Sequence, residues 1–173
     1  MMNCGYRDGS PPILLPPERE AERTSYELYA HLIAETPLAH RDVLELGAGR
    51  GGGVRFLHDT YHPRRLVALD YAEESVRWCR RHFSAPRLKF VCGDDGNLRL
   101  PDASFDVIVA VEVTHCLIDK EEFFATAARV LRPGGRLLIA DFFYHRADAM
   151  HALGKFETAL ARSAFTIIAN DDW

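Results

Sequence analysis

At 173 residues, 47% hydrophobic and 27% charged, the chain has the composition of one soluble globular domain able to bury a single core. Its 21 Lys+Arg against 25 Asp+Glu leave a net charge of -4, which excludes the excess positive field on which non-specific nucleic-acid binding relies. Its longest apolar runs, such as Val107 to Val111, fall far short of the roughly 18 to 20 residues needed to cross a bilayer, and the polar opening residues lack the pattern of a secretory signal. A cytoplasmic location is expected. The cysteines, Cys4, Cys79, Cys92 and Cys116, form no C-x-x-C pair, so neither zinc nor a redox disulfide is expected. Each reads as a small buried hydrophobe.

Residues 1 to 17 carry Pro11-Pro12 and Pro16-Pro17 without a periodic apolar pattern and read as an irregular arm. From Glu18 to Thr36 the residues Leu28, Tyr29, Leu32 and Ile33 recur at helical spacing until Pro37 stops the pattern, which predicts an amphipathic helix. The chain thus divides into an arm and helix over 1–36, a partial cap, and a domain over 37–173. Short apolar runs then occur at Val43 to Leu46, Leu66 to Leu69, Leu88 to Cys92, Phe105 to Val111, Leu137 to Ala140 and Phe165 to Ala169. Helical stretches lie between them near 51–61, 72–83, 119–131 and 146–163. Val76, Cys79 and Phe83 share one helical face, and Phe123, Phe124, Ala127 and Leu131 share another. Apolar strands separated by crossover helices predict a doubly wound α/β fold, a mainly parallel sheet with helices on both faces. Ligands of such sheets bind along the edge where the strands end.

The first strand runs into Gly47-Ala48-Gly49-Arg50-Gly51-Gly52-Gly53, a turn that allows close approach of backbone to ligand and matches the G-x-G-x-x-G pattern. Two ligand classes compete for it. A dinucleotide brings an anionic pyrophosphate, whereas S-adenosylmethionine brings an ammonium and a cationic sulfonium. Glu45, two residues before Gly47, would repel the first and attract the second. Asp70, closing the second strand 23 positions after Gly47, can accept both ribose hydroxyls of either ligand or cap the following helix. The third strand ends in Gly93-Asp94-Asp95; a carboxylate there can accept the exocyclic amine of adenine, and Asp94 is the better placed. The fourth runs into Glu112-Val113-Thr114-His115-Cys116 at the same edge, and Leu131-Arg132-Pro133-Gly134-Gly135 reads as a helix stop and tight turn feeding the fifth.

Taken together, the Glu45 to Gly51 run, Asp70, Gly93-Asp94, Phe105-Asp106-Val107-Ile108 and Leu131 to Gly135 resemble the ordered motifs of class I S-adenosylmethionine-dependent methyltransferases over about residues 40 to 142. Asn3-Cys4-Gly5-Tyr6 and Glu112 to Cys116 are similar to segments of phthiotriol-type and polyketide-tailoring members. The resemblance implies a Rossmann-like fold and S-adenosyl-L-methionine as cofactor. Carried over, Glu45, Gly47 and Gly49 hold the methionine part, Asp70 the ribose and Asp94 the adenine amine. Val111 and Glu112 line the sulfonium, Tyr6 folds over the cofactor, and Tyr71 and Asp95 are further cofactor contacts. A small-molecule, polyketide or lipid acceptor methylated at a hydroxyl in secondary metabolism is the expected substrate.

Methyl transfer is an in-line displacement on an already activated sulfonium, so alignment of the reactants is the main task. A neutral alcohol also has to lose its proton, and His115 is the candidate base, with His145 the runner-up. The family's sheet normally has seven strands, whereas the apolar runs here supply six. A missing C-terminal strand would leave backbone groups unpaired, so a truncated chain or a homodimer completing the sheet edge is expected. Two other functions stay open: a non-catalytic scaffold with the same fold, and a nicotinamide-dependent oxidoreductase, against which Glu45 and the lack of a Tyr-x-x-x-Lys pair argue.

Overall fold

The computed structural model describes residues 3–7, 9, 12–94, 99–142 and 147–168, with backbone alone over 147–152. Five strands, β1 (Asp42–Leu46), β2 (Arg65–Asp70), β3 (Leu88–Cys92), β4 (Phe105–Val111) and β5 (Leu131–Ala140), form one parallel sheet in the order β3-β2-β1-β4-β5. Among the described residues five α-helices accompany them: α1 (Arg23–Ile33), α2 (Gly52–Tyr61), α3 (Glu73–His82), α4 (Lys120–Val130) and α5 (Ala147–Arg162). The expected Rossmann-like architecture is therefore the observed one.

Period-two alternation in β1 sorts the core into two halves. Val43 joins the cluster formed with α1, α2 and α3, including Leu28, Phe56, Leu57, Val76 and Cys79. Leu44 and Leu46 join the opposite cluster with Phe123, Phe124 and Ala127 of α4 and Ala159 of α5. Each such fully buried Leu or Phe contributes roughly 1.5–3 kcal/mol relative to exposure, so both faces of the central strand are anchored. Glu45, next in the alternation, falls on the α1–α2 face and is as buried as its apolar neighbours. The chain winds outward from β1 through β2 to β3, then returns to add β4 and β5 on the other side. The crevice beyond the ends of β1 and β4 is thus the topological switch point at which open α/β sheets bind ligands.

The opposite edge of the sheet is closed by ion pairs. Asp42 opens β1 and accepts hydrogen bonds from Arg64 Nη2 at 2.6 Å and Arg132 Nη2 at 2.8 Å. Its backbone N–H donates to Asp106 Oδ2 at 2.8 Å, and Arg132 Nη1 lies 3.0 Å from Asp106 Oδ1. Burial pushes the Asp42 carboxyl up, but the Arg64 and Arg132 bonds outweigh it and hold the group below its ordinary range.

Four expectations need correction. Phe165 to Ile168 are not a strand: Phe165 packs against Phe124, while Ile167 and Ile168 are exposed, so an apolar run marks a contact here and not a sheet element. The remaining residue of that run, Ala169, lies outside the described residues. The Leu131 to Gly135 segment does not precede β5 but forms its start; the register jumps from Phe105–Leu131 to Val107–Arg136, and Gly134 takes a positive φ of 76° within this bulge. The helix expected from Glu18 begins as a 3-10 helix over Pro17–Glu22 and ends at Ile33. Of the cysteines only Cys79 is buried; Cys4, Cys92 and Cys116 are exposed, because they stand on the arm or at strand ends instead of on a core-facing stripe.

Candidate functional site

The turn after β1 is shaped by close packing. Gly47, Gly49 and Gly51 all have positive φ, the conformation that favours glycine. A Cβ on Gly47 would stand 2.0 Å from Val113 Cγ2, so no side chain fits between the turn and the segment following β4. Ala48 N–H donates to Leu69 O at 3.0 Å, and Gly49 N–H donates to Asp70 Oδ2 at 2.6 Å. The other Asp70 oxygen accepts from Ala72 N–H at 2.8 Å. Asp70 therefore joins the glycine turn to the start of α3, whose N-cap position is Ala72 and not Asp70.

Glu45 is 1% exposed. Tyr29 of α1 reaches across the face of the sheet and donates its hydroxyl to Glu45 Oε1 at 2.7 Å, while Glu45 Oε2 is buried and has no hydrogen-bond partner. Burial, opposed only by the Tyr29 bond, pushes the Glu45 carboxyl up to about 8. The Tyr29 hydroxyl is pushed well above its ordinary value, by burial first and then by Glu45. Gly53 makes the pair possible: a Cβ there would lie 2.1 Å from Tyr29 Oη and 2.7 Å from Glu45 Oε1.

At the end of β4, Val111 is buried and Glu112 has a positive φ of 53°. Glu112 N–H donates to Ala140 O at 2.7 Å, and its carboxylate accepts from Cys4 N–H at 2.6 Å. The N-terminal arm is thereby drawn over the strand ends. It is also pinned to α1, through Asn3 Nδ2 to Ser25 O at 3.2 Å and Tyr6 N–H to Thr24 O at 2.9 Å. The Tyr6 ring packs on His31 with centroids 4.2 Å apart.

His115 lies in the short 3-10 helix Thr114–Cys116. Its Nδ1 is 2.7 Å from Asp141 Oδ1, and Asp141 Oδ2 accepts from His115 N–H at 3.0 Å and from Thr114 Oγ1 at 2.5 Å. The Asp141 side chain is 3% exposed and that of His115 30%, so an imidazole held by a buried carboxylate faces the edge. Phe142 packs against the His115 ring.

Parallel strand ends thus bring Glu45, Gly47, Gly49, Asp70, Val111, Glu112 and His115 to one edge, with Tyr6 on the arm above α1. Asp94 is exposed just beyond β3, and Tyr71 is exposed with its carbonyl beside Cys92 Sγ. Asp95 and the alternative base His145 lie outside the described residues. Sequence reasoning missed Asp141, although it follows an apolar strand just as Asp70 does. It also missed the role of Tyr29, which the pattern of α1 assigns to the core alongside Leu28 and Ile33.

Comparison with known proteins agrees with this geometry. A family profile described as a methyltransferase domain matches residues 44–139. The phthiotriol/phenolphthiotriol dimycocerosates methyltransferase of Mycobacterium tuberculosis (strain ATCC 25177 / H37Ra) is 38% identical over 142 residues, 81% of this chain and 52% of that protein. A fatty-acid O-methyltransferase of Mycolicibacterium smegmatis (strain ATCC 700084 / mc(2)155) is 34% identical over 170 residues, 97% of this chain and 60% of that protein. The chain therefore spans just over half the length of these relatives. Among solved structures, a complex of the Haloferax volcanii Trm112 methyltransferase activator with a methyltransferase contains a chain that aligns with a TM-score of 0.66 at 27% identity, over 82% of this chain and 61% of that one. No helix among the described residues is long and apolar enough to cross a membrane. With its profile match, parallel sheet and glycine turn, the chain belongs to the class I S-adenosylmethionine-dependent methyltransferases.

Proposed function

We propose that this chain transfers a methyl group from S-adenosylmethionine to a hydroxyl of a lipid or other small-molecule acceptor. Its residues fit the cofactor on one observation: the buried Glu45 Oε2 lacks a partner that a cationic ammonium would supply. In this reading Glu45, Gly47 and Gly49 hold the methionine part, Asp70 the ribose and Asp94, with Asp95, the adenine. Val111 and Glu112 line the sulfonium, with Tyr6 and Tyr71 at the rim. Bound there, the cofactor supplies the activated methyl group.

The protein's own part is to align the acceptor and take its proton. The contact of His115 Nδ1 with Asp141 at 2.7 Å carries the choice of a hydroxyl. Asp141 fixes the imidazole so that Nε2 can accept a proton, and it stabilises the imidazolium that results. A fatty-acid carboxylate is already ionised near neutrality and gains nothing from such a base, whereas an alcohol does. The names of the relatives in mycobacteria support a lipidic acceptor, and no observation favours the oxidoreductase or the scaffold over this function. A second copy completing the β5 edge stays compatible with an enzyme of this kind.

The test is methyl transfer from labelled S-adenosylmethionine to a panel of long-chain alcohols, phenols, fatty acids and amines. Methylated alcohols or phenols are expected, with His115→Ala lowering kcat by about 10²–10⁴-fold while cofactor affinity stays unchanged. Turnover confined to amines, or full turnover by His115→Ala on alcohols, would refute the assignment.

A further inference from the structure

Glu45 is a buried acid whose carboxyl, among the described residues, is shifted by burial and Tyr29 and by no cation. From α1 it meets the Tyr29 hydroxyl, and from α2 the backbone at Gly53. Its partners across the sheet are Ala68 of β2 and Val109 of β4. From α3 it acts on the Cys79 thiol, which burial first and then Asp70 and Glu45 push up to about 11. Glu112 beyond β4 adds a second negative charge, felt by Tyr29. Every titratable group around Glu45 is thus an acid, and Oε2 has neither a donor nor solvent. Burying an ionised carboxylate with a single neutral donor is far costlier than burying it protonated.

We infer that Glu45 and Tyr29 form a proton-exchanging receptor for the cofactor's ammonium: the free chain holds Glu45 protonated, with the proton on Oε2, and the arriving ammonium takes the proton's place. This rests on the proposed methionine subsite. The exchange balances. The neutral carboxyl becomes a carboxylate, the ammonium keeps its three protons, and one proton leaves to solvent. Tyr29 donates to Oε1 in both states, so it positions the carboxylate and leaves Oε2 as the unpartnered oxygen at which the exchange takes place. The consequence is that cofactor affinity rises with pH, about tenfold per unit while Glu45 is protonated in the free chain and ionised in the complex. It passes through a maximum near 8, above which the carboxyl is already ionised and the ligand's own α-ammonium loses its proton.

Calorimetric titration of the whole chain with S-adenosylmethionine at pH 6.5, in buffers of different ionisation enthalpy, measures the exchange directly. An α-ammonium, with an ordinary pKa of about 7.7–8.0, stays charged at this pH. Release of close to one proton per ligand is expected, against none with methylthioadenosine, which has the nucleoside and thioether but no ammonium. Glu45→Gln should abolish the release and flatten the pH dependence. Tyr29→Phe, by removing the one bond that favours the carboxylate, should lower affinity at pH 6.5 and broaden the maximum toward higher pH. Carbon-13 NMR of the free wild-type chain, independent of any variant, should find the Glu45 carboxyl titrating near 8. Binding with a buffer-independent enthalpy, or a Glu45 carboxyl that titrates near 4.5, would overturn the inference and leave the proposed function standing. Absence of any binding would overturn both.

Discussion

Gly53→Ala is a severe single-methyl change at the Tyr29–Glu45 pair. Gly53 lies in the first turn of α2, and a Cβ on it would stand 2.1 Å from Tyr29 Oη, 2.2 Å from Tyr29 Cζ and 2.7 Å from Glu45 Oε1. Tyr29 is 6% exposed and Glu45 1%, so neither can swing into solvent. Displacing the ring overpacks the interface between α1 and α2, at about 1–3 kcal/mol. Parting the hydroxyl from a buried carboxyl adds about 1–3 kcal/mol. Alanine returns about 1 kcal/mol through helix propensity, which leaves a net loss of about 1–5 kcal/mol. Gly154→Ala in α5 is the control, since nothing lies within 4 Å of its Cβ position; it should gain up to about 1 kcal/mol. Urea unfolding of the two variants, read as midpoints at constant slope, separates them. A Gly53→Ala protein as stable as wild type would refute the packing of Tyr29 over Glu45.

Other perturbations probe the remainder of the frame. Asp42→Asn leaves Arg64 and Arg132 facing an amide and should destabilise the chain by about 2–4 kcal/mol, measured by thermal unfolding at neutral pH. Because the folded Asp42 carboxyl lies below its ordinary 3.8, its stabilisation is complete above that pH and is lost as pH falls through the lower folded value, so wild type and variant should converge in acid. Glu45 has the reverse sign: with its carboxyl raised from 4.5 to about 8, the free chain should lose stability as pH rises across that interval, and Glu45→Gln should remove the slope in pH-dependent urea unfolding. Gly5→Ala combines a positive φ of 77° with a Cβ 2.6 Å from Thr24 Oγ1. It should detach the arm and raise the cofactor dissociation constant by about tenfold for a loss of about 1.4 kcal/mol, with global stability preserved.

The fold was legible because strands buried on both faces are near-continuous apolar runs, and β1, β2 and β4 carry that signature at the expected positions, while the edge strand β3 is only partly buried. The segment Phe165 to Ala169 has the same composition, yet its first residue is used only to pack against Phe124; pairing with a neighbouring strand leaves no trace in local sequence. Strand ends were legible for the same reason, since in a parallel sheet the polar residue that follows each run is delivered to a common edge. That rule located Asp70, Asp94, Glu112 and His115, and applied to β5 it reaches Asp141. Tyr29 was not legible, because its spacing on α1 is that of a core residue and its hydroxyl finds Glu45 only through tertiary packing. The bulge of β5 was hidden likewise, since Pro133-Gly134-Gly135 has the composition of a turn whether it lies before a strand or within it.

The two edges of the sheet treat their acids in opposite ways, and the contrast bears on what each edge is for. At the N-terminal edge Asp42 and Asp106 are met by Arg64, Arg65 and Arg132, an arrangement in which charges cancel and stability is the outcome. At the C-terminal edge the partners described for Glu45, Asp70 and Glu112 are a hydroxyl, two amides and one amide respectively, all neutral, while Asp141 is met by the His115 imidazole and feels the Lys120 ammonium. An ionised Glu45 would repel its acidic neighbours Asp70 and Glu112, and fixed neutral dipoles offset only part of that cost. Self-repulsion of this kind persists where a ligand of opposite charge relieves it. An ammonium and a sulfonium on one molecule would do so at two points of the same edge, whereas a diphosphate would add to the repulsion. The arginines clustered around Asp42 and Asp106 therefore mark the part of the chain that holds the sheet together, and the acids at the other edge mark the part proposed above to receive the cofactor's cation.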